Sequence, residues 1–137
     1  LGPEGMDAFF MGKSWHTFAP MGPYLVTADE ISDPQDMKVK LWVDGELRQD
    51  YSTSDMGHNI PDTLAWATHI ATLNPGDILS LGTNHQGLGP LQNGSRTEME
   101  VEGLGRLHLS FSDNLNREWP RQIDRAVADR IAGRTSS

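Results

Sequence analysis

Lys38-Val39-Lys40-Leu41-Trp42-Val43-Asp44-Gly45-Glu46-Leu47-Arg48-Gln49-Asp50 is the stretch that decides how this chain folds. Val39, Leu41 and Val43 alternate with Lys38, Lys40 and Trp42, the period of two that marks a half-buried strand. Asp44-Gly45 then offers the pair of positive-φ residues that a two-residue type I′ turn requires, so residues 46–50 should return antiparallel to the first strand. A second hairpin is written further on. Thr97, Met99 and Val101 alternate with Arg96, Glu98, Glu100 and Glu102, Gly103-Leu104-Gly105 turns the chain, and Leu107, Leu109 and Phe111 continue the apolar face. Two shorter apolar runs, Tyr24-Leu25-Val26-Thr27 after the turn at Met21-Gly22-Pro23 and Ile78-Leu79-Ser80-Leu81, read as isolated strands.

Between the hairpins, residues 51–59 are polar and loop-like, and Pro61 suits the first turn of a helix because its missing N–H would have had no partner there. Ile60, Leu64, Ala67 and Ala71, with Ile70 beside them, form an apolar stripe at helical spacing, so a helix should run to about Leu73 and stop before Asn74-Pro75-Gly76. Past Asp113 the sequence turns polar. A weak surface helix is expected between Arg121 and Arg134, with Ile123, Val127 and Ile131 on one side, and Gly133 to Ser137 should be unstructured. The chain opens without an initiator methionine and reads as an internal start, whether of a processed product, a split subunit or a segment of a longer polypeptide. The expected fold is mainly β with one or two helices, an α+β arrangement.

Composition narrows the function. Length, at 137 residues, allows one domain, and the 36% hydrophobic and 22% charged residues describe a globular chain, while 14 Gly and 8 Pro predict many turns. The net charge is −8 and the 11 Lys and Arg are scattered, whereas a polyphosphate partner wants a basic stripe, so nucleic-acid binding is disfavoured. Cysteine is absent, which excludes disulfides, thiolate metal sites and a cysteine nucleophile in this chain. No apolar run reaches the roughly 18 residues of a membrane helix, so no membrane association is expected and the location expected is cytoplasmic. Asn93-Gly94-Ser95 matches a glycosylation triplet, but Asn-Gly is read as a tight turn.

The loop Gly82-Thr83-Asn84-His85-Gln86-Gly87-Leu88-Gly89-Pro90 is too rich in glycine to be ordinary filler. Gly82 would let backbone approach a ligand, and the Thr83 hydroxyl with nearby N–H groups could hold a carboxylate or carbonyl oxygen. The plainer reading is a threonine satisfying its own backbone at a strand end. His85 is the one histidine in this loop, placed to orient a substrate or pass a proton near neutral pH. His16, His58, His69 and His108 lack metal-ligand spacing, and Asp55 reads as a loop anchor. Neither Gly87-Leu88-Gly89 nor Gly103-Leu104-Gly105 extends into a dinucleotide fingerprint, so a nucleotide cofactor is not expected.

Three segments in order carry a resemblance. They are residues 12–23, Gly-Lys-Ser-Trp-His-Thr-Phe-Ala-Pro-Met-Gly-Pro; residues 41–50, Leu-Trp-Val-Asp-Gly-Glu-Leu-Arg-Gln-Asp; and residues 73–83, Leu-Asn-Pro-Gly-Asp-Ile-Leu-Ser-Leu-Gly-Thr. With Thr53-Ser54-Asp55-Met56 and Val101-Glu102-Gly103-Leu104-Gly105, they resemble the C-terminal half of the fumarylacetoacetate hydrolase superfamily over roughly residues 8–110. The resemblance implies a mixed β-sandwich roll around a divalent metal, a homodimer, and chemistry on 2-oxo or dioxo acids. It implies that residues 1–113 are the C-terminal portion of the catalytic domain and residues 114–137 a polar tail. Lys13, which composition alone would make a surface lysine, becomes the active-site cation, able to stabilise negative charge on an enolising substrate. Thr83, Gly82 and His85 become substrate-binding residues.

In that family the metal ligands are two glutamates and an aspartate that precede the lysine motif. This chain has only Glu4 and Asp7 there, so no metal ligand is assigned, and Mg²⁺ or Mn²⁺ is expected in the complete enzyme through residues outside this chain. Asn84-His85 stands where many relatives have proline, which opens the substrate class. The expected activity is hydrolysis of a carbon–carbon bond in an acylpyruvate or related dioxo acid. Isomerisation or decarboxylation of a 2-oxo diacid in aromatic-compound catabolism uses the same enolate, and a non-catalytic binding or assembly subunit is the rival from another class. The partners expected are a small 2-oxo or dioxo acid and the missing N-terminal part or a companion subunit.

Overall fold

A computed structural model describes residues 6–131, with side chains from Phe10 to Arg130. The expectations for Glu4 and for the tail from Gly133 to Ser137 fall outside the described residues. Four strands form one antiparallel sheet: β1 (Lys38–Val43), β2 (Glu46–Ser52), β3 (Arg96–Val101) and β4 (Gly105–Ser110), in spatial order β2-β1-β3-β4. Among the described residues three α-helices accompany it, α1 (Met6–Lys13), α2 (Ile60–Ile70) and α3 (Arg125–Ile131). The α+β class expected from sequence is the class observed.

The first hairpin turns as its sequence dictates, with Asp44 at φ 51° and Gly45 at φ 83°, the double positive-φ signature of a type I′ turn. Asp44 also joins the two hairpins. Its N–H donates to Arg96 O at 2.8 Å, and its carboxylate accepts from Arg96 N at 2.8 Å and from the buried Ser95 hydroxyl at 3.2 Å. The register places Val39 opposite Val101, Leu41 opposite Met99 and Val43 opposite Thr97, with Leu109 and Leu107 continuing the row across β4. Apart from Trp42, the residues between these rows are ionisable: Lys40, Glu98, Glu100, Arg106 and His108. Arg106 stands 4.6 Å over the Trp42 ring and pairs with Glu98 and Glu100.

One feature of β2 is not written in its alternation. Leu41 pairs with Gln49 but Trp42 with Leu47, so Arg48 is the extra residue of a β-bulge. Leu47 and Gln49, two apart in sequence, therefore pair with neighbours on opposite faces of the sheet. Arg48 and Gln49 are consecutive and both buried, at 6% and 8% exposure.

Helix α2 begins as expected. The Asn59 side chain caps it by accepting from Asp62 N at 2.7 Å, Pro61 lies in the first turn, and Gln35 Oε1 accepts from Ile60 N at 2.8 Å. It ends at Ile70 rather than near Leu73, and of its apolar stripe only Ala67 is buried, while Leu64 and Ile70 stay exposed. Two expected strands are corrected. Residues 24–27 and 78–81 have no ladder partner among the described residues, and Leu25 and Ile78 are 96% and 67% exposed. Apolar sequence is there, but no neighbouring strand is available to use it. Conversely α1 forms over residues to which the sequence reading assigned no element.

Among the described residues the buried apolar ones are few: Met37, Val39, Val43, Ala67 and Ala128. The chain exposes 11021 Å², against about 7,100 Å² for a compact monomer of its mass. Phe10, Trp15, Phe18, Met21, Tyr24, Trp66 and Leu115 are among the exposed large side chains. No helix among the described residues is long and apolar enough to cross a membrane.

Candidate functional site

An open cleft of about 360 Å³ lies where β2 runs into a 3-10 turn (Thr53–Asp55) and meets residues 80–84. Tyr51, Asp55, Met56, His58, Thr63, Thr83 and Asn84 are among its walls. The turn is fixed from within the chain. Ser52 Oγ accepts from Ser54 N at 3.1 Å, and the Thr53 hydroxyl accepts from Met37 N at 2.9 Å while donating to Pro34 O at 2.9 Å. Asp55, read from sequence as a loop anchor, and His58, which lacks metal-ligand spacing, thus stand in the same cleft as Thr83.

Gly82 adopts φ 80° with nothing within 4 Å of where a Cβ would be, so its role is the backbone conformation that turns residue 83 along the cleft. Thr83 Oγ1 lies 3.3 Å from the Tyr51 hydroxyl and 3.3 Å from Gln49 Oε1. Gln49 Nε2 donates to the Asn84 carbonyl, and Asn84 Oδ1 accepts from Gln86 N at 2.8 Å. Strand β2 thereby holds residues 83–86 through one buried carboxamide.

The later glycines of the loop serve packing. A Cβ on Gly87 would stand 1.9 Å from Arg48 O, and one on Gly89 would stand 2.6 Å from Arg48 Nη1 and 2.8 Å from Gln122 O. The loop is pressed between the β2 bulge and the segment leading to α3. Arg48 Nη2 donates to Arg121 O at 3.1 Å, and Asp124 N donates to Leu88 O at 2.7 Å. Arg48 Nε sits 2.8 Å from Glu46 Oε2, an ion pair whose angle is not that of a hydrogen bond. The C-terminal segment is therefore more than a solvated face, as the burial of Ala128 at 2% exposure also shows.

The sequence-derived residues divide in two. Thr83 and Gly82 line the cleft. Lys13 is the last residue of α1, exposed, and is not among the residues lining the cleft; His85, also exposed, sits one residue beyond its wall. Among the described residues no three His, Asp or Glu side chains converge as a divalent metal would need, so the residues described do not fit that ion. Gln49 was missed because a glutamine in a strand carries no signal of its own. The bulge that buries it is visible only in the register.

The family model described as Fumarylacetoacetate (FAA) hydrolase C-terminal matches residues 3–111. An uncharacterized protein of Pyrococcus horikoshii is 43% identical over 99 residues, covering 72% of this chain and 42% of the relative. A mitochondrial oxaloacetate tautomerase of Rattus norvegicus is 39% identical over 104 residues, covering 71% of this chain and 33% of the relative. The maleylpyruvate hydrolase of Sphingobium sp. SYK-6, solved in complex with manganese(II) ion and pyruvate, superposes with a TM-score of 0.69 at 38% identity over 72% of this chain and 37% of its own. The chain thus spans well under half the length of these relatives.

Proposed function

This chain belongs to the fumarylacetoacetate hydrolase family, and we propose that it supplies the active-site lysine and one substrate-binding wall of a hydrolase that cleaves a carbon–carbon bond in an acylpyruvate or related dioxo acid. The observation that carries the reading is Thr83 beside the positive-φ Gly82 on a polar cleft, in a chain that also holds the Gly12-Lys13-Ser14 segment. In the proposed reaction water adds to the acyl carbonyl carbon and the bond to the pyruvyl methylene breaks. The electron pair becomes a pyruvate enolate, which is then protonated at carbon. The Lys13 ammonium stabilises that enolate, residues 83–84 hold the acid end, and His85 at the rim orients the substrate. For Lys13 to do this, the exposed segment from Phe10 to Leu25 must be seated against the cleft by the rest of the full-length protein, and we assign that protein to a homodimer.

The described residues do not fit a divalent metal. Use of Mg²⁺ or Mn²⁺ by the full-length protein is proposed through residues beyond this chain. A second reading, tautomerisation of a 2-oxo diacid, is favoured by the identity with the rat oxaloacetate tautomerase. One assay separates them. The full-length protein with saturating Mn²⁺ and an acylpyruvate should release pyruvate and the second acid in equal amounts. Decay of enol absorbance with oxaloacetate, without any cleavage of acylpyruvates, establishes the tautomerase instead, and no turnover of either class refutes both.

A further inference from the structure

Gln49 occupies a position that dictates more than loop anchoring. Its carboxamide has two different ends, and the Asn84 carbonyl, which can only accept, must face the nitrogen. The oxygen, Oε1, is then the end 3.3 Å from Thr83 Oγ1. An amide oxygen has no proton to give, so the Thr83 hydroxyl is the donor in that contact. A hydroxyl has a single proton. With it committed to Gln49, the Tyr51 hydroxyl, 3.3 Å from the same Oγ1, must donate to Thr83. The chain of bonds runs one way, from Tyr51 to Thr83 to Gln49, and Thr83 is left with one lone pair.

We propose that Gln49 is a positioning residue that sets the hydrogen-bond polarity of Thr83, so that the Thr83 side chain offers the cleft an acceptor and recognises a ligand O–H, such as the enol hydroxyl of a 2-oxo acid. This rests on the reading of the cleft as a 2-oxo acid site and refines it. The anionic oxygens fall to other donors: among the described residues no acceptor engages the peptide N–H of Thr83 or Asn84. An acceptor at Thr83 beside such donors selects the enol tautomer, which carries an O–H next to its carboxylate, over the keto form, which has none. Nothing about Thr83 alone would impose this, since a free hydroxyl turns to suit its ligand. The buried carboxamide, held in one orientation by Asn84 and carried by the bulge at Arg48, removes that freedom.

The test uses two small acids that differ at this one feature, pyruvate with a keto oxygen and lactate with an O–H on the same carbon. Dissociation constants are measured by calorimetry on the metal-loaded full-length protein. Gln49→Met keeps the volume and frees the Thr83 proton, so the ratio of the lactate constant to the pyruvate constant should rise about tenfold, the worth of one hydrogen bond exchanged. Gln49→Glu can still accept from Thr83 but cannot donate to Asn84, so both acids should weaken while their ratio stays that of the wild type. A ratio unchanged in both variants overturns the proposal and leaves Gln49 a structural residue. Should Gln49→Met fail to fold, Thr83→Val decides: lactate should lose about tenfold and pyruvate little, and a larger loss for pyruvate refutes the assigned polarity. If neither acid binds the folded wild type, the cleft reading itself is wrong and the proposal falls with it.

Discussion

Gly87→Ala puts the packing of the glycine-rich loop to a direct test. The added Cβ would stand 1.9 Å from Arg48 O, 2.5 Å from Arg48 C and 2.7 Å from Arg48 Cβ. Carbon tolerates a carbonyl oxygen at about 3.3 Å, so roughly 1.4 Å of space must be found between two stretches of main chain. Arg48 lies in a strand laddered to β1, and the loop is the side that must give. A displacement of that size breaks the 2.7 Å bond from Asp124 N to Leu88 O and disturbs the Gln49 contacts with Thr83 and Asn84. Overpacking costs about 1–3 kcal/mol. Because none of the three atoms is the far end of a flexible side chain, we expect the upper end, which at an m-value of about 1–3 kcal/mol/M lowers the urea midpoint by roughly 1 M or more. Tryptophan fluorescence of the full-length protein in a urea series measures this, with Gly57→Ala as control, since a Cβ there meets nothing within 4 Å. Equal midpoints for the two variants would show that the loop is not pressed onto the bulge.

Lys13→Ala in the full-length enzyme should lower kcat by about 10²–10³ with KM within a few-fold, as for loss of a donor to developing charge; steady-state kinetics at saturating metal, with folding checked by circular dichroism, would remove Lys13 from the mechanism if kcat were unchanged. The chain taken alone should show no tight stoichiometric site for Mn²⁺ in a calorimetric titration, because its described residues offer no convergent ligand cluster; a tight site would contradict the placement of the ligands elsewhere. Asp113 is held at about 2, below its ordinary 3.8, chiefly by the Arg117 side-chain hydrogen bond. Its folded-state value being depressed, the stability it contributes is present above pH 3.8 and is lost as the pH falls toward 2. A carboxyl titration followed by NMR should place Asp113 well below 3.8, and Arg117→Ala should raise it, with the backbone N–H bonds from residues 115 and 117 keeping part of the depression.

Both hairpins could be read from residues 38–50 and 96–111, because alternation and an Asp-Gly turn are local signals that the sheet needs no outside help to honour. The start of α2 was equally legible from Pro61, whereas Asn59, read as part of the polar loop, proves to be its cap. What the sequence concealed depends on distant neighbours. The runs at 24–27 and 78–81 have strand composition, yet composition does not supply a partner, and they remain unpaired. The bulge at Arg48 has no sequence mark, although it decides which side Gln49 takes and so how Thr83 is held. Thr83 and Gly82 were found through the family motif and do line the cleft. Asp55 and His58, judged one residue at a time, gave no sign that the fold would bring them to the same place. The loop glycines were recognised as meaningful, but Gly87 and Gly89 answer to the Arg48 backbone and side chain and to Gln122, not to a ligand.

If residues 83–84 form the acid-binding wall of a 2-oxo acid enzyme, the amide resonances of Thr83 and Asn84 in the ¹⁵N-labelled full-length protein should report it in a titration with pyruvate. Both amides should shift saturably, with a midpoint equal to the dissociation constant found by calorimetry, and the shift should be lost in Gly82→Val. Saturable pyruvate binding that leaves both amides unmoved would contradict that assignment.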